Sequence, residues 1–264
     1  MSNIHPFEGE RMERDATLRF WDDYADVYSS MQQGDIPQRV VDILCREGYL
    51  GPDADVLELG SGPGTYSLSV ASRVRTLTCM DTSPRMLDRL MASAGSKGIG
   101  NITPLLQDWG TYPSESGYTA VMASLCPGTG SPDSIRRMES LSSYGCVVVS
   151  WLENHGDDLT AQVWQELGKD YGFGFRSSNP TLDWLTENGR EPDYDVLEAR
   201  IIADLSVDDL VEKERSAFRA YGVKEDVEPI VRRLLESEDD GGVIHYDRVN
   251  RMKLIRWRSD HRAR

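Results

Sequence analysis

Short apolar runs alternate with amphipathic segments along the chain from residue 37 to residue 151. Apolar runs bounded by turn-forming residues are typical of buried strands, whereas apolar positions spaced by three and four indicate helices. The runs predict five strands, at 56–59, 76–80, 102–106, 120–124 and 147–149. Helices are predicted between them, with N-cap signals at Ser83–Pro84 and in SPDSIRR. This alternation predicts a parallel sheet, whose ligands lie at the carboxyl ends of the strands.

The segments outside this region have a different pattern of apolar and polar positions. An amphipathic helix is predicted in RMERDATLRFWDDYADVYSSMQQG, before the first strand. After residue 151 the pattern predicts a helix from about residue 158, a short helix in PTLDWL and a strand near 196–202. Two more helices, separated by Gly222, precede one or two closing strands in GGVIHYDRVNRMKLIRWR.

Three glycines alternate directly after the first apolar run, at Gly60, Gly62 and Gly64. A backbone that bends sharply and comes close to a ligand requires residues without a side chain. The helix predicted to follow would point free N–H groups at whatever lies over the turn. This strand, turn and helix therefore predict a site for a nucleotide-like ligand.

Spacing and charge narrow the choice of ligand. The dinucleotide fingerprint is G-x-G-x-x-G, but here the third glycine follows after one residue, so a nicotinamide oxidoreductase is disfavoured. Glu58 lies two places before the first glycine, where it would repel a pyrophosphate but could pair with an ammonium. Asp81 ends the second predicted strand, about 20 residues past the glycines, where an acidic side chain meets ribose hydroxyls. These residues favour a nucleoside ligand with an amino-acid end.

The segments E-x-G-S-G-P-G-T and D-x-S-P-x-M-L resemble the class I methyltransferases that use S-adenosylmethionine. The resemblance extends from about residue 20 to residue 151. FWDDYADVYSS resembles the amino-terminal lid helix of that family, matching its pattern at Trp21, Ala25 and Tyr28. PLLQDWG, YTAVMASLCPG and CVVVSW resemble its third, fourth and fifth strand segments, although Thr119 stands where the family usually has an aspartate.

The resemblance implies an α/β fold: a seven-stranded, mostly parallel, doubly wound sheet with an antiparallel final strand and a helical cap. It implies S-adenosylmethionine as the cofactor, with Asp108 at the adenine amino group and Trp109 over the ring. The full set of predicted cofactor-binding residues is Tyr24, Tyr28, Glu58, Gly60, Ser61, Gly62, Gly64, Asp81, Thr82, Met86, Asp108, Trp109 and Ser124. Simpler interpretations stay open, with Asp108 as a turn residue and Trp109, Tyr24 and Tyr28 as core aromatics.

The chain is interpreted as a single methyltransferase domain with four parts. These are a lid helix at 1–36, a cofactor-binding core at 37–158, a helical substrate cap at about 203–240 and closing strands at 243–259. The cap and the lid helix are expected to close the pocket, and the cap is expected to choose the substrate.

Composition limits the partners. The formal charge is −15, which disfavours DNA and bulk RNA as substrates and favours a small-molecule acceptor. No apolar stretch is as long as a membrane span, and MSNIHPFEGERMER lacks the apolar centre of a secretion signal, so a cytoplasmic protein is expected. The four cysteines have no zinc-like or redox spacing, and Cys79 and Cys146 are expected to fill strands. No metal site and no oligomeric state are predicted.

Methyl transfer mainly requires alignment of donor and acceptor, exclusion of water and, for some acceptors, removal of a proton. The candidate proton acceptor is His155, with Glu153 and His245 as alternatives. A covalent role for Cys126, beside Pro127, is a minor alternative, because the pyrimidine-carbon enzymes that it resembles place proline before cysteine.

Two other functions stay open. One is a non-catalytic module that binds the cofactor. The other is a methyltransferase acting on a protein or a structured RNA, for which four arginines would form a basic rim. The simpler expectation is that these arginines form a solvated face of the closing strands. They are Arg248, Arg251, Arg256 and Arg258.

Overall fold

The computed structural model describes residues 19–25, 33–113, 117–126, 129–152, 158–169 and 180–259. They fall into two compact units. The sheet unit comprises the described residues within Asp35–Leu152, Arg176–Glu198 and Arg251–Arg264. The helical unit comprises those within Met1–Gly34, Glu153–Phe175 and Ala199–Asn250.

The described residues form the strands and helices that the pattern predicts, with boundaries shifted by a few residues. The strands are β1 (Asp55–Leu59), β2 (Thr76–Asp81), β3 (Ile102–Leu106), β4 (Tyr118–Ser124), β5 (Ser142–Trp151), β6 (Asp193–Ser206) and β7 (Val243–Arg258). The helices are α1 (Ile36–Arg46), α2 (Ser67–Ala71), α3 (Pro84–Ser96), α4 (Pro132–Leu141), α5 (Asp158–Glu166), α6 (Pro180–Glu187), α7 (Val207–Ala220) and α8 (Glu228–Leu235). Residues 19–25 are also helical.

The strands of the described residues form one seven-stranded sheet with the order β3-β2-β1-β4-β5-β7-β6. Strands β1 to β5 pair in parallel, and β7 pairs with β5 in antiparallel fashion. The predicted α/β class, with a mostly parallel sheet and an antiparallel final strand, is therefore confirmed. The closing segment GGVIHYDRVNRMKLIRWR contributes one strand, β7.

Apolar residues on β1, β4, β5 and β7 pack beneath α4 and α6 to form the core of the sheet unit. This cluster includes Leu57, Val121, Val148, Ile255 and Trp257, all fully or nearly fully buried. As expected, Cys79 and Cys146 are also buried within strands. Burial of these side chains along the parallel strands explains why the strands appear as continuous apolar runs rather than alternating patterns.

Local cap chemistry sets where two helices begin. The Ser83 hydroxyl accepts the Met86 N–H at 3.1 Å, and Pro84 occupies the first turn of α3. Ser131 and Ser134 form a reciprocal capping box at the start of α4. Each cap satisfies backbone N–H groups that have no partner within the helix, as the sequence predicts.

The helical unit has its own apolar core, formed by α5, α7, α8 and the start of β7. The ring of Trp164 lies 4.9 Å from that of Phe218 and 5.6 Å from that of Tyr221. Strand β6 continues to Ser206, so the first of the two helices expected within 203–240 begins at Val207, and the second begins at Glu228. Within the described part of the chain, no helix is long and apolar enough to cross a membrane.

The arginines of β7 are engaged with neighbours in the sheet unit. Arg251 donates to Glu198 at 2.7 Å. Arg256 is buried and pairs with Glu47 and Asp195, so the expectation of a solvated face is wrong for this residue. Burial of Arg256 costs free energy that the two carboxylates offset.

Arg258 stands over the rings of Tyr49 and Tyr144, at 4.5 and 3.7 Å from their centroids. It also donates to the Glu47 carbonyl at 3.0 Å. With Arg251 and Arg256 held by carboxylates, three of the four rim arginines have partners within the sheet unit. The side chain of Arg248 lies outside the described set.

Candidate functional site

The glycine turn between β1 and α2 adopts a backbone that other residues avoid. Gly60, Gly62 and Gly64 have φ values of +62°, +54° and +96°. A Cβ atom on Gly60 would lie 2.6 Å from Sγ of Cys126, and one on Gly64 would overlap a methyl group of Leu90. Both the conformation and the close contacts therefore require glycine, as the sequence predicts.

Asp81 joins this turn to the end of β2. One oxygen of its carboxylate accepts the Gly62 N–H at 2.8 Å, and the other accepts the Ser83 N–H at 2.9 Å. The Ser61 N–H also donates to the Met80 carbonyl at 3.0 Å. A carboxylate oxygen has two lone-pair directions, so these bonds leave acceptor capacity for a ligand hydroxyl.

Glu58, the acidic residue of β1, is completely buried. The Ser67 hydroxyl donates to its Oε2 at 2.5 Å. Burial raises the pKa of Glu58 to about 7, with the nearby Asp81 charge acting in the same direction and the Ser67 hydroxyl opposing it. A carboxylate with this pKa changes its charge near neutral pH and would be stabilised by a cation.

Three buried polar atoms near the glycine turn lack a hydrogen bond within the described residues. They are Oε1 of Glu58, Oγ of Ser61 and Oγ of Ser124. Glu58 and Ser124 lie on the adjacent strands β1 and β4, and Ser61 is in the turn itself. Buried polar groups normally have partners, and an orphaned one costs about 1–3 kcal/mol. Two acceptor-capable hydroxyls and one carboxylate oxygen fit a polar ligand that donates hydrogen bonds.

The Asp108–Trp109 segment follows β3 and forms a 3₁₀ turn. The Asp108 carboxylate accepts the Gly110 N–H at 2.7 Å, so it acts as the cap of this turn. The Trp109 ring packs on the core cluster, and the Arg137 guanidinium stands 4.4 Å from its centroid. The simpler interpretations, a turn residue and a core aromatic, thus describe contacts that exist. Cofactor contact by either residue stays a prediction.

Leu125, directly after β4, has a strained backbone conformation. Its φ is +56°, and among the described residues it is the one that has a positive φ without being glycine. Its N–H donates to the Val149 carbonyl at 2.8 Å, which anchors this conformation to β5. The bend brings Cys126 against Gly60. Such strain often occurs at functional sites, and no sequence signal identifies a leucine that adopts it.

The remaining predicted residues fall in different places. Thr82 is partly exposed beside Asp81, and Met86 is buried in the first turn of α3. Tyr24 belongs to the helical unit, where it stacks on Phe20 with the ring centroids 5.3 Å apart. Tyr28 and the candidate base His155 lie outside the described residues.

Part of the sheet unit matches a known protein family. Residues 56–141 match the family model of a methyltransferase domain. A 23S rRNA (uracil(1939)-C(5))-methyltransferase of Pseudomonas aeruginosa is 34% identical over 109 residues, which is 39% of this chain. The chain covers about a quarter of the length of that relative, 24%.

Solved structures share the fold at low identity. A protein of Galdieria sulphuraria, provisionally assigned as a sarcosine dimethylglycine methyltransferase, has a TM-score of 0.52 at 14% identity, covering 91% of this chain and 98% of that one. The YcgJ protein of Bacillus subtilis has a TM-score of 0.50 at 14% identity, with coverages of 84% and 98%. DhpI, solved in complex with SAH, has a TM-score of 0.50 at 19% identity, with coverages of 69% and 89%. These similarities establish the fold.

Proposed function

We propose that the chain is a class I, S-adenosylmethionine-dependent methyltransferase that acts on a small-molecule acceptor, on the premise that residues 56–141 match a methyltransferase domain. The observation that carries the proposal is the buried Glu58 carboxylate, which has an orphaned oxygen beside the glycine turn. A buried carboxylate with one hydrogen-bond donor, the Ser67 hydroxyl, is costly in its charged form, so its position favours a cationic ligand.

The amino-acid end of S-adenosylmethionine fits this arrangement. Its ammonium would pair with Glu58, which would offset the burial of that carboxylate. The hydroxyls of Ser61 and Ser124, also orphaned, can donate to the ligand carboxylate or accept from its ammonium. Gly60, Gly62 and Gly64 would let the backbone approach the ligand closely.

The adenosine end would lie at the ends of β2 and β3. Asp81 has acceptor capacity for the ribose hydroxyls in addition to its two backbone bonds. Thr82 and Met86 follow it at the start of α3, and Asp108 follows β3. Because β1, β2 and β3 are parallel neighbours, their carboxyl ends meet at one edge of the sheet.

When bound, S-adenosylmethionine supplies an electrophilic methyl group on a sulfonium. The protein then needs to hold the ligand, align the acceptor and exclude water. Glu58, Asp81 and the glycine turn would do the holding. His155 stays a prediction as the residue that removes a proton from the acceptor.

Calorimetry with S-adenosylmethionine and its demethylated product, S-adenosylhomocysteine, tests cofactor binding. We expect micromolar affinity for both. Glu58→Gln should weaken binding about tenfold or more, since the amide cannot neutralise the ammonium. Asp88→Asn, an exposed carboxylate change on α3, is the matched control and should have no effect. Absence of binding by the unmodified chain would overturn the proposal.

A structured RNA is the second candidate acceptor, favoured by the identity to an rRNA methyltransferase over 109 residues. The charge of −15 and the engaged arginines of β7 oppose it. Incubation with methyl-labelled S-adenosylmethionine and either total RNA or a small-molecule extract separates the two. Label recovered in RNA would replace the small-molecule proposal. Cofactor binding with no transfer to either fraction would favour a non-catalytic module.

A further inference from the structure

Lys253 is a buried lysine in β7 of the sheet unit. The residue as a whole is only 8% exposed, and the flanking residues Met252 and Leu254 are fully buried. Lysine is almost never buried to this extent unless it is paired. Neither the fold nor the cofactor site accounts for an ammonium at this position.

The strand register places Lys253 at the carboxyl edge of the parallel sheet. Lys253 lies directly opposite Ser150, one residue before the end of β5. Residues directly opposite in antiparallel strands project to the same face, so Ser150 is the lateral neighbour of Lys253. The next pair on that face, Val148 and Ile255, belongs to the core cluster. The pair thus continues the core face to the edge where β1 ends in the glycine turn.

The electrostatic surroundings of Lys253 differ from those of Arg256, the other buried cation of β7. Among the described residues, no carboxylate lies within ion-pair distance of its ammonium. Burial lowers the pKa of Lys253, and the field of the Asp183 carboxylate on α6 opposes this. Arg256 projects from the opposite face of β7 and is by contrast paired with Glu47 and Asp195.

We propose that Lys253, with Ser150 beside it, binds a carboxylate group of the methyl acceptor. This inference rests on the proposed function, because the acceptor must lie at the carboxyl edge of the sheet, next to the cofactor. An anion would give the Lys253 ammonium a partner at this edge, and the Ser150 hydroxyl can donate to the second oxygen.

The donor set favours a carboxylate over a phosphate. One ammonium and one hydroxyl match the charge and the two oxygens of a carboxylate. A phosphate dianion carries more charge and three acceptor oxygens, and it is normally held by several donors or by a helix N-terminus. In a chain of charge −15, a local positive group is also needed to draw in an anionic substrate.

The test uses the full chain saturated with S-adenosylhomocysteine and titrated by calorimetry with acetate, benzoate and phenylacetate. Each carboxylate is compared with its uncharged amide. We expect at least one carboxylate to bind about tenfold more tightly than its amide, and Lys253→Met to abolish that preference. Lys97→Met, at an exposed lysine, is the matched control and should preserve it.

Two further readouts keep the outcomes separate. Affinity for S-adenosylhomocysteine should be unchanged in Lys253→Met. If the unmodified chain does not bind S-adenosylhomocysteine, the proposed function itself is overturned. Intact cofactor binding without any carboxylate preference would overturn only the role of Lys253. If Lys253→Met does not fold, amine acetylation of the unmodified chain decides: the preferred carboxylate should slow labelling of Lys253 but not of Lys97, and equal rates would refute the inference.

Discussion

The backbone N–H of Gly62 donates a hydrogen bond of 2.8 Å to Oδ2 of Asp81. This bond joins the glycine turn after β1 to the end of β2. The two residues are 19 positions apart in sequence. Asp81 therefore has a structural task as well as its proposed contact with ribose. Its substitution is expected to affect both the order of the turn and the affinity for the ligand.

Asp81→Ala should weaken S-adenosylmethionine binding by about 1–3 kcal/mol, because ribose hydroxyls and the Gly62 N–H lose their acceptor. Calorimetry measures the loss, with Asp88→Ala on the exposed face of α3 as the control. Equal affinities of the two variants would contradict the placement of ribose at Asp81.

The tight contact at Gly60 can be separated from its backbone conformation. Gly98 has a similar φ of +68° with nothing within 4 Å, so Gly98→Ala should cost only about 1–2 kcal/mol of stability. Gly60→Ala should cost about 1–3 kcal/mol more, because its methyl group collides with Cys126. Urea unfolding measures both.

Removing the sulfur tests the assignment of that extra cost. In a Gly60→Ala, Cys126→Ala double variant, part of the difference from Gly98→Ala should be recovered. Similar unfolding free energies for Gly60→Ala and Gly98→Ala would show that the Cys126 contact is unimportant.

The affinity for S-adenosylmethionine should depend on pH through Glu58. Its pKa of about 7 means that the carboxyl is largely protonated below that pH in the free protein. Affinity should therefore rise by up to about tenfold per pH unit as the pH increases toward 7. It should fall again above roughly pH 8, where the ligand amine loses its proton. Calorimetry across this range, in buffers of different ionisation enthalpy, also measures the proton released on binding.

Glu58→Gln is the control for this profile and should remove its acidic limb. The same pKa predicts an effect on folding. Between pH 4.5 and about 7 the unfolded chain releases a proton that the folded chain keeps, so stability should fall as the pH rises through this interval. An acidic limb that persists in Glu58→Gln would assign the titration to another group.

A partly buried polar cluster should contribute to the stability of the sheet unit. Glu139 accepts from Arg190 at 2.8 and 2.9 Å and from the Trp257 indole at 3.0 Å. Glu139→Ala would strand these donors, and we expect a loss of about 1–3 kcal/mol, since the pair keeps some exposure. Urea unfolding measures it, with the exposed Glu187→Ala as the control. Equal losses would show that the cluster is energetically neutral.

The sequence by itself determined the elements and the turn. Local signals act through neighbours in the chain, so they can be recognised in the sequence alone. They include the helix caps Ser83 and Ser131, the glycines of the positive-φ turn and the apolar runs of the strands. The positions of Glu58 and Asp81 at strand ends followed from the same local signals, because parallel strands bring their carboxyl ends to one edge.

Only the tertiary structure decided the environment of individual side chains. The burial of Glu58 and Lys253, the strain at Leu125 and the pairing of Arg256 all depend on residues distant in sequence. The same holds for Trp109, whose ring packs against Arg137 rather than standing free. Burial and pairing are set by long-range packing, which local periodicity does not encode.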